Sequence, residues 1–199
     1  MTSKTRAVSD APVLHMRRDE LARLLQAARR RGVRDHLLLA LSYRLGLRAS
    51  EAIGLQAGDV DVLHGEVAVA GLKGGTIRRY ALPRDLAPLA RRWLKFRGNE
   101  PGAFFTGRQG ASLTRQRLWQ VVKACAAAAG LPTWVRFHTL RHSIGVHMVD
   151  AKMPLESVKD LLRHRSIRST EVYAATSLER RVGYLREMDL NAAIVKVGR

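Results

Sequence analysis

Apolar residues recur along this chain at two periods, and the switches between them mark out its elements. Leu21, Leu24, Leu25 and Ala28 fall at i, i+3, i+4 and i+7, the stripe of an amphipathic helix that Gly32 ends. From Val33 to Leu45 the run is Leu-rich and almost wholly apolar, which predicts a buried central helix. Gly46 then stands where a helix closes in the left-handed conformation, free of Cβ strain. Ser50 and Glu51 open a short helix. Between Asp59 and Leu82 the period drops to two. Val60 and Val62, Val67 and Val69, then Ile77, Tyr80 and Leu82 predict three short strands, the last two joined by the hairpin GLKGG with Lys73 at its tip.

Helical spacing returns over 85–97, begun by Asp85, and over 114–130, where Thr114 is a good N-cap. A further helix is predicted from about His138, with Leu140, Ile144, Met148 and Ala151 facing inward. Another starts at Pro154 and buries Leu155, Val158, Leu161 and Leu162. Residues 170–175 form a helical or turn segment, and Leu178, Val182 and Leu185 stripe a C-terminal helix. The expected fold is mainly α with a small three-stranded antiparallel β-sheet. Residues 15–190 make one domain between an N-terminal arm (1–14) and a tail (191–199).

Composition changes this picture in one respect. The apolar fraction of 46% is ordinary, but the net charge is +18, from 35 basic and 17 acidic residues. Of the basic residues 28 are Arg and 7 are Lys. Arg carries a planar fork of donors that fits phosphate oxygens bidentately, so the excess points to a polyanion, double-stranded DNA above all. An anionic membrane fits less well, because the basic residues do not gather on one amphipathic helix. Arg78 and Arg79 beside the hairpin, and Arg115, Arg117 and Lys123 around Trp119 on one helix, are candidate DNA contacts. Cys125 is the only cysteine and sits in the apolar run CAAAAG, a small core residue with no disulfide partner. No leader-like or membrane-length apolar stretch occurs, and a cytoplasmic, nucleoid-associated protein is expected.

The chemistry concentrates between residues 138 and 173. His138 and Arg141 form an H-x-x-R pair, His164 follows Leu-Leu-Arg, and Tyr173 lies nine residues further on. Imidazole, guanidinium and phenol are together the groups needed to attack a phosphodiester without a metal. Arg48, in the turn after the central helix, is either a cap for carbonyls or a clamp for phosphate. A competing reading pairs His138 with His142 at i, i+4 as zinc ligands. That motif requires Glu where Thr139 stands, and only His147 and His164 offer a third ligand nearby. No metal and no cofactor are expected.

Taken in order, Arg48 in LGLRASE, Lys73 in GLKGGTIRRYALP, His138 and Arg141 in HTLRHS, and His164 and Tyr173 in LLRHRSIRSTEVYA resemble the tyrosine recombinase (phage integrase) family. The resemblance covers about residues 17–190, the family's catalytic domain. It implies that Tyr173 is the nucleophile of a covalent 3′-phosphotyrosine intermediate, with strand exchange through a Holliday junction. Arg48 and Arg141 would neutralise the phosphate, His138 would act as base, Lys73 as acid, and His164 would donate to the phosphate. Glu51 and His142 are expected one layer behind. The resemblance further implies a homotetramer on two DNA sites with exchange of the C-terminal helix, the outcome being integration, excision, inversion or resolution. Two departures stand out. Arg163 occupies a position where the family usually has Gly, so the local turn is expected to differ. No N-terminal DNA-clamping domain fits before residue 20, which an accessory DNA-binding protein would supply. The alternatives are a DNA-binding regulator, a partner-dependent orphan recombinase, and a relaxing enzyme akin to type IB topoisomerases.

Overall fold

The computed structural model describes residues 14–71, 76–98, 100–107, 110–164, 166–167 and 169–174. Lys73, the predicted C-terminal helix, the tail and most of the N-terminal arm lie outside them. The elements follow in the order α1 (Arg18–Arg31), α2 (Val33–Arg44), α3 (Ala49–Gly54), a 3-10 turn (Ala57–Asp59), β1 (Val60–Asp61), β2 (Glu66–Val69), β3 (Arg78–Ala81), α4 (Ala87–Arg97), α5 (Arg115–Ala128), α6 (Phe137–Asp150) and α7 (Leu155–Leu162). Residues 169–174 are helical again. The mainly α fold with its small sheet is as the periodicity predicts.

The Leu-rich stretch forms the hub. α2 buries Leu37, Leu38, Leu39 and Leu41 and packs against α1, α4 and α6. The sheet is antiparallel in the order β1-β2-β3, with Val67 opposite both Val60 and Tyr80. β2 turns Val67 and Val69 into the core, whereas Ile77, predicted in the third strand, is 63% exposed just before β3 begins.

Several boundaries move for local reasons. α4 starts two residues later than predicted, with a Pro in its first turn, while Asp85 pairs with Arg44 at 3.2 Å. Thr114 does cap α5, accepting from the Arg117 N–H at 3.1 Å. α6 is not an amphipathic helix with one inner face. It buries Phe137, Leu140, Arg141, Ser143, Gly145, Val146, His147 and Val149, and Ala151, predicted inward, is exposed beyond its end.

Two close approaches place the site. Gly46 has φ 55°, and a Cβ on it would meet Leu162 Cδ2 at 2.5 Å, so the end of α7 seats directly on the turn after α2. The chain before α1 is strapped onto α6: the buried Met16 donates its N–H to Ser143 Oγ at 2.9 Å, and His147 Nε2 lies 2.9 Å from the Met16 carbonyl.

Candidate active site

Arg48 is placed by the turn that Gly46 allows. It is the N-cap of α3, a role the sequence suggested for Ser50. Its N–H donates to Glu51 Oε2 at 2.7 Å and its Nη1 to Glu51 Oε1 at 2.8 Å. Glu51 is 6% exposed. Burial alone would raise its carboxyl, but Arg163 and then Arg48 outweigh this and hold it below the usual range.

Arg141 projects from the second turn of α6 and is 1% exposed. Its Nη1 donates to the Gly46 carbonyl at 2.6 Å and its Nη2 to the Leu162 carbonyl, joining the α2–α3 turn to the end of α7. Burial, then Arg48 and Arg163, lower this guanidinium to about 10, so it stays charged at neutral pH.

α7 closes on Arg163 in the left-handed conformation, φ 53° and ψ 42°. The turn a glycine would make is therefore kept, at a cost of about 1–2 kcal/mol for a residue with a Cβ. The side chain turns inward and is 6% exposed. Its Nε and Nη2 meet Glu51 Oε1 and Oε2 at 3.2 and 2.9 Å, Nη2 also donates to the Leu45 and Gly46 carbonyls at 3.1 and 2.9 Å, and Nη1 to its neighbour Leu161 at 2.8 Å. The guanidinium lies 5.3 Å from the centre of the Tyr80 ring.

The turn presents His164, whose Nδ1 is 3.0 Å from Thr170 Oγ1 and whose ring runs parallel to Tyr173 at 6.0 Å between centroids. Burial, then Arg141 and Arg48, lower His164 to about 4. Tyr173 is 3% exposed and belongs to a small apolar cluster with Val146, Val149, Val158 and Leu162. Its ring lies flat on Gly145, where a Cβ would come within 3.0 Å. The phenol meets His142 Nδ1 at 3.0 Å. Burial raises the Tyr173 pKa, against the pull of Arg141 and Arg48. His142 is lowered to about 4 by burial, then by His138 and Arg141, and is neutral near pH 7. With the phenol as donor, Nδ1 accepts and the ring proton sits on Nε2. His138 stands exposed, edge-on to His142 at 4.3 Å, and is lowered by partial loss of hydration, then by Arg141 and Arg48.

Arg48, Glu51, His138, Arg141, His142, His164 and Tyr173 thus converge from α3, α6 and the segment after α7. The expected base, His138, is not the imidazole on the phenol; His142 is. The predicted DNA-contact residues stay outside the cluster. Arg78 donates to the Asp160 carbonyl at 3.4 Å and Arg79 pairs with Glu66 at 3.1 Å on the sheet. On α5, exposed Arg115 and Arg117 flank the N-terminus, and Lys123 Nζ donates to the Thr133 carbonyl at 3.0 Å. Among the described residues no three His, Cys, Asp or Glu gather as metal ligands. No role was expected for the Arg163 side chain or for Gly145. The signals were present: an Arg where the resemblance expects Gly, and a helix-interior Gly one turn after His142, a position that normally costs stability.

Comparison with known proteins gives this geometry a context. The profile of the Phage integrase family matches residues 15–180. The type 1 fimbriae regulatory protein FimE of Escherichia coli (strain K12) is 32% identical over 157 residues, covering 76% of this chain and 79% of FimE. The tyrosine recombinase XerC of Herpetosiphon aurantiacus is 34% identical over 174 residues, covering 83% of this chain and 56% of its own length. Among solved structures, the XerH site-specific recombinase bound to a palindromic difH substrate, a post-cleavage complex, superposes with a TM-score of 0.78 at 23% identity, over 90% of this chain and 54% of that one. The catalytic domain of bacteriophage HP1 integrase gives a TM-score of 0.64 at 20% identity, over 86% of this chain and 95% of that one. These structural likenesses show the fold.

Proposed function

The chain belongs to the phage integrase family, and from that membership and the geometry of the cluster we propose that it is a site-specific DNA recombinase with Tyr173 as its nucleophile. The observation that carries the assignment is the phenol's position: buried, on a neutral imidazole, and under the influence of two guanidiniums. An ordinary tyrosine has a pKa of about 10 and attacks poorly at neutral pH. Here the phenolic oxygen attacks phosphorus as its proton passes to His142 Nδ1. The bond from phosphorus to the 5′-oxygen breaks and leaves a 3′-phosphotyrosine and a free 5′-hydroxyl. Lys73, by its place in the motif, gives the 5′-oxygen its proton. Religation reverses these steps with another 5′-hydroxyl and conserves the bond energy.

Charge explains the arginines. A phosphodiester carries one negative charge that grows to about two in the pentacoordinate transition state, and fixed donors aimed at that growth dominate catalysis of this type. Arg48 and Arg141 are held by backbone carbonyls and one carboxylate, so they need no reorganisation to meet it. His138, on the open side, and His164, stacked on the nucleophile, are placed to donate to the phosphate oxygens. Strand exchange then proceeds through a Holliday junction in a homotetramer on two DNA sites, with the C-terminal helices exchanged between protomers and an accessory DNA-binding protein compatible with the assembly. Neither relatives nor geometry favour a pure regulator or a relaxing enzyme.

The test is covalent capture on a nicked suicide duplex bearing sites selected from random DNA. The parent should form a protein–DNA adduct at the 3′ side of the nick, and Tyr173→Phe should form none while binding the same duplex. An undiminished adduct in Tyr173→Phe would overturn the assignment.

A further inference from the structure

We propose that Arg163 is a positioning residue of the cleavage reaction: it serves as counter-ion to Glu51, so that Arg48 and Arg141 both meet the scissile phosphate uncompensated. This rests on the recombinase reading above and adds a group that the resemblance does not include, since the position is one where the family usually has Gly.

Three guanidiniums, Arg48, Arg141 and Arg163, lie around the single carboxylate of Glu51, and two positive charges remain after one is matched. Were residue 163 glycine, Glu51 would face Arg48 and Arg141 alone, and one positive charge would remain for a phosphate whose charge approaches two. The hydrogen bonds say which guanidinium does the matching. Arg163 addresses both carboxylate oxygens, through Nε and Nη2, and its side chain is 6% exposed. The Arg48 guanidinium reaches only Oε1, through Nη1, with its backbone N–H on Oε2, and its side chain stays more open, at 26% exposure. A paired fork in a dry setting is the stronger interaction, so Glu51 is held chiefly by Arg163.

The same side chain fixes the frame. Arg163 Nη2 shares the Gly46 carbonyl with Arg141 Nη1, and the Arg163 carbonyl receives Arg48 Nη2 at 3.3 Å. Its guanidinium lies near the ring of Tyr80 on β3. The Arg163 side chain is spent on Glu51, on the Leu45, Gly46 and Leu161 carbonyls and on the Tyr80 ring. Its effect on phosphate runs through Arg48, Arg141 and Glu51.

The experiment compares Arg163→Gly and Arg163→Lys, each with Glu51 and with Glu51→Gln, in the full chain. It measures the single-turnover rate of adduct formation on the suicide duplex, the Kd for that duplex, and Tm. Gly adopts φ 53° without strain, so the backbone of the turn is preserved. We expect Arg163→Gly to slow adduct formation by at least about tenfold, because it weakens a transition-state interaction. Kd should stay within about threefold, since most affinity comes from contacts along the backbone. Arg163→Lys keeps the charge and should recover most of the rate. In the Glu51→Gln background, where no carboxylate needs a counter-ion, Arg163→Gly should change the rate by less than about threefold, the non-additivity of groups that act as a unit. A frame-only role predicts equal losses in both backgrounds and no recovery with Lys, and that outcome overturns the proposal. So does a parental rate in Arg163→Gly. If Arg163→Gly does not fold, Arg163→Gln against Arg163→Lys carries the same comparison of charge. A parent that forms no adduct at all would sink the recombinase reading and this inference with it, whereas a parental rate in Arg163→Gly would sink this inference alone.

Discussion

Helix α6 holds two histidine–tyrosine pairs five residues apart, and they use the same chemistry for different ends. His142 Nδ1 meets the Tyr173 phenol at 3.0 Å, and His147 Nδ1 meets the Tyr43 phenol at 2.9 Å. Both imidazoles are lowered to about 4, burial being the first cause in each. Both phenols are raised by burial, against two nearby arginines. What separates the pairs is the element behind each phenol. Tyr43 belongs to α2, locked on every side by the leucine core, and its histidine is tied through Nε2 to the Met16 carbonyl. Tyr173 rides on the short helical segment 169–174, resting on glycine and a small satellite cluster. On the proposed reading Tyr173 is the nucleophile because it rides on a short segment under the influence of Arg141 and Arg48, whereas Tyr43 is held within a core helix, as a strut.

This contrast is sharpened most by moving the histidines. His142→Gln keeps a polar partner for the phenol but cannot take its proton, and the rate of adduct formation should fall by about 10²–10³-fold, within the range of general-base removal. His147→Gln should leave the rate within a few fold and lower Tm instead. A substrate with sulfur in place of the bridging 5′-oxygen needs no proton on its leaving group, so it should not rescue His142→Gln. Rescue would assign His142 to the acid side and return the base role to His138. A smaller effect is expected at the seat of the ring. Gly145→Ala puts a methyl group 3.0 Å from Tyr173 and should slow cleavage by about tenfold, since displacement of a reacting group by a fraction of an ångström is costly. Tyr43 has no such seat, and its hydrogen bond to His147 should persist in the same variant, as read from the imidazole's NMR resonances.

Much of this was legible in the sequence, and the remainder has physical reasons. The helices showed because their apolar spacing at 3.6 residues is set by one-sided burial, as in α1 and α7. α6 did not show its true face, since a helix buried all round has no stripe; Arg141, Ser143 and His147 are as deep as its valines. The residues proposed to meet phosphate stand out in the sequence by type and spacing. The groups that act on those residues do not, because their partners are distant in the chain: Arg163 reaches back to Glu51, and Met16 reaches forward to Ser143 and His147. The turn before His164 shows how an Arg can stand where the resemblance expects Gly. Arg163 adopts the glycine-like conformation, and its side chain is anchored by the carboxylate and carbonyls around it.

The smallest expected effect is on stability, and it tests whether the second pair is only a strut. The folded state holds His147 near 4, whereas the unfolded chain restores the ordinary value of 6.5. Between these values the unfolded state binds more protons, so stability rises with pH there. The contribution is fully present above about pH 6.5 and is lost as pH falls through about 4. His142 and His164, also near 4, add in the same direction, so Tm should decline steadily on acidification across this window. Tyr43→Phe removes the donor that favours neutral His147 and leaves a buried acceptor unmatched. At pH 7 this should cost about 1–2 kcal/mol, the usual penalty for one unsatisfied buried group. The acid decline should become shallower in the variant, because the folded state then resists protonation of His147 less. Adduct formation at pH 7 should not change. A Tyr43→Phe protein with parental Tm and a parental acid slope would mean that the pair is idle, and a slowed adduct would mean that the strap on α6 reaches the catalytic groups one turn away.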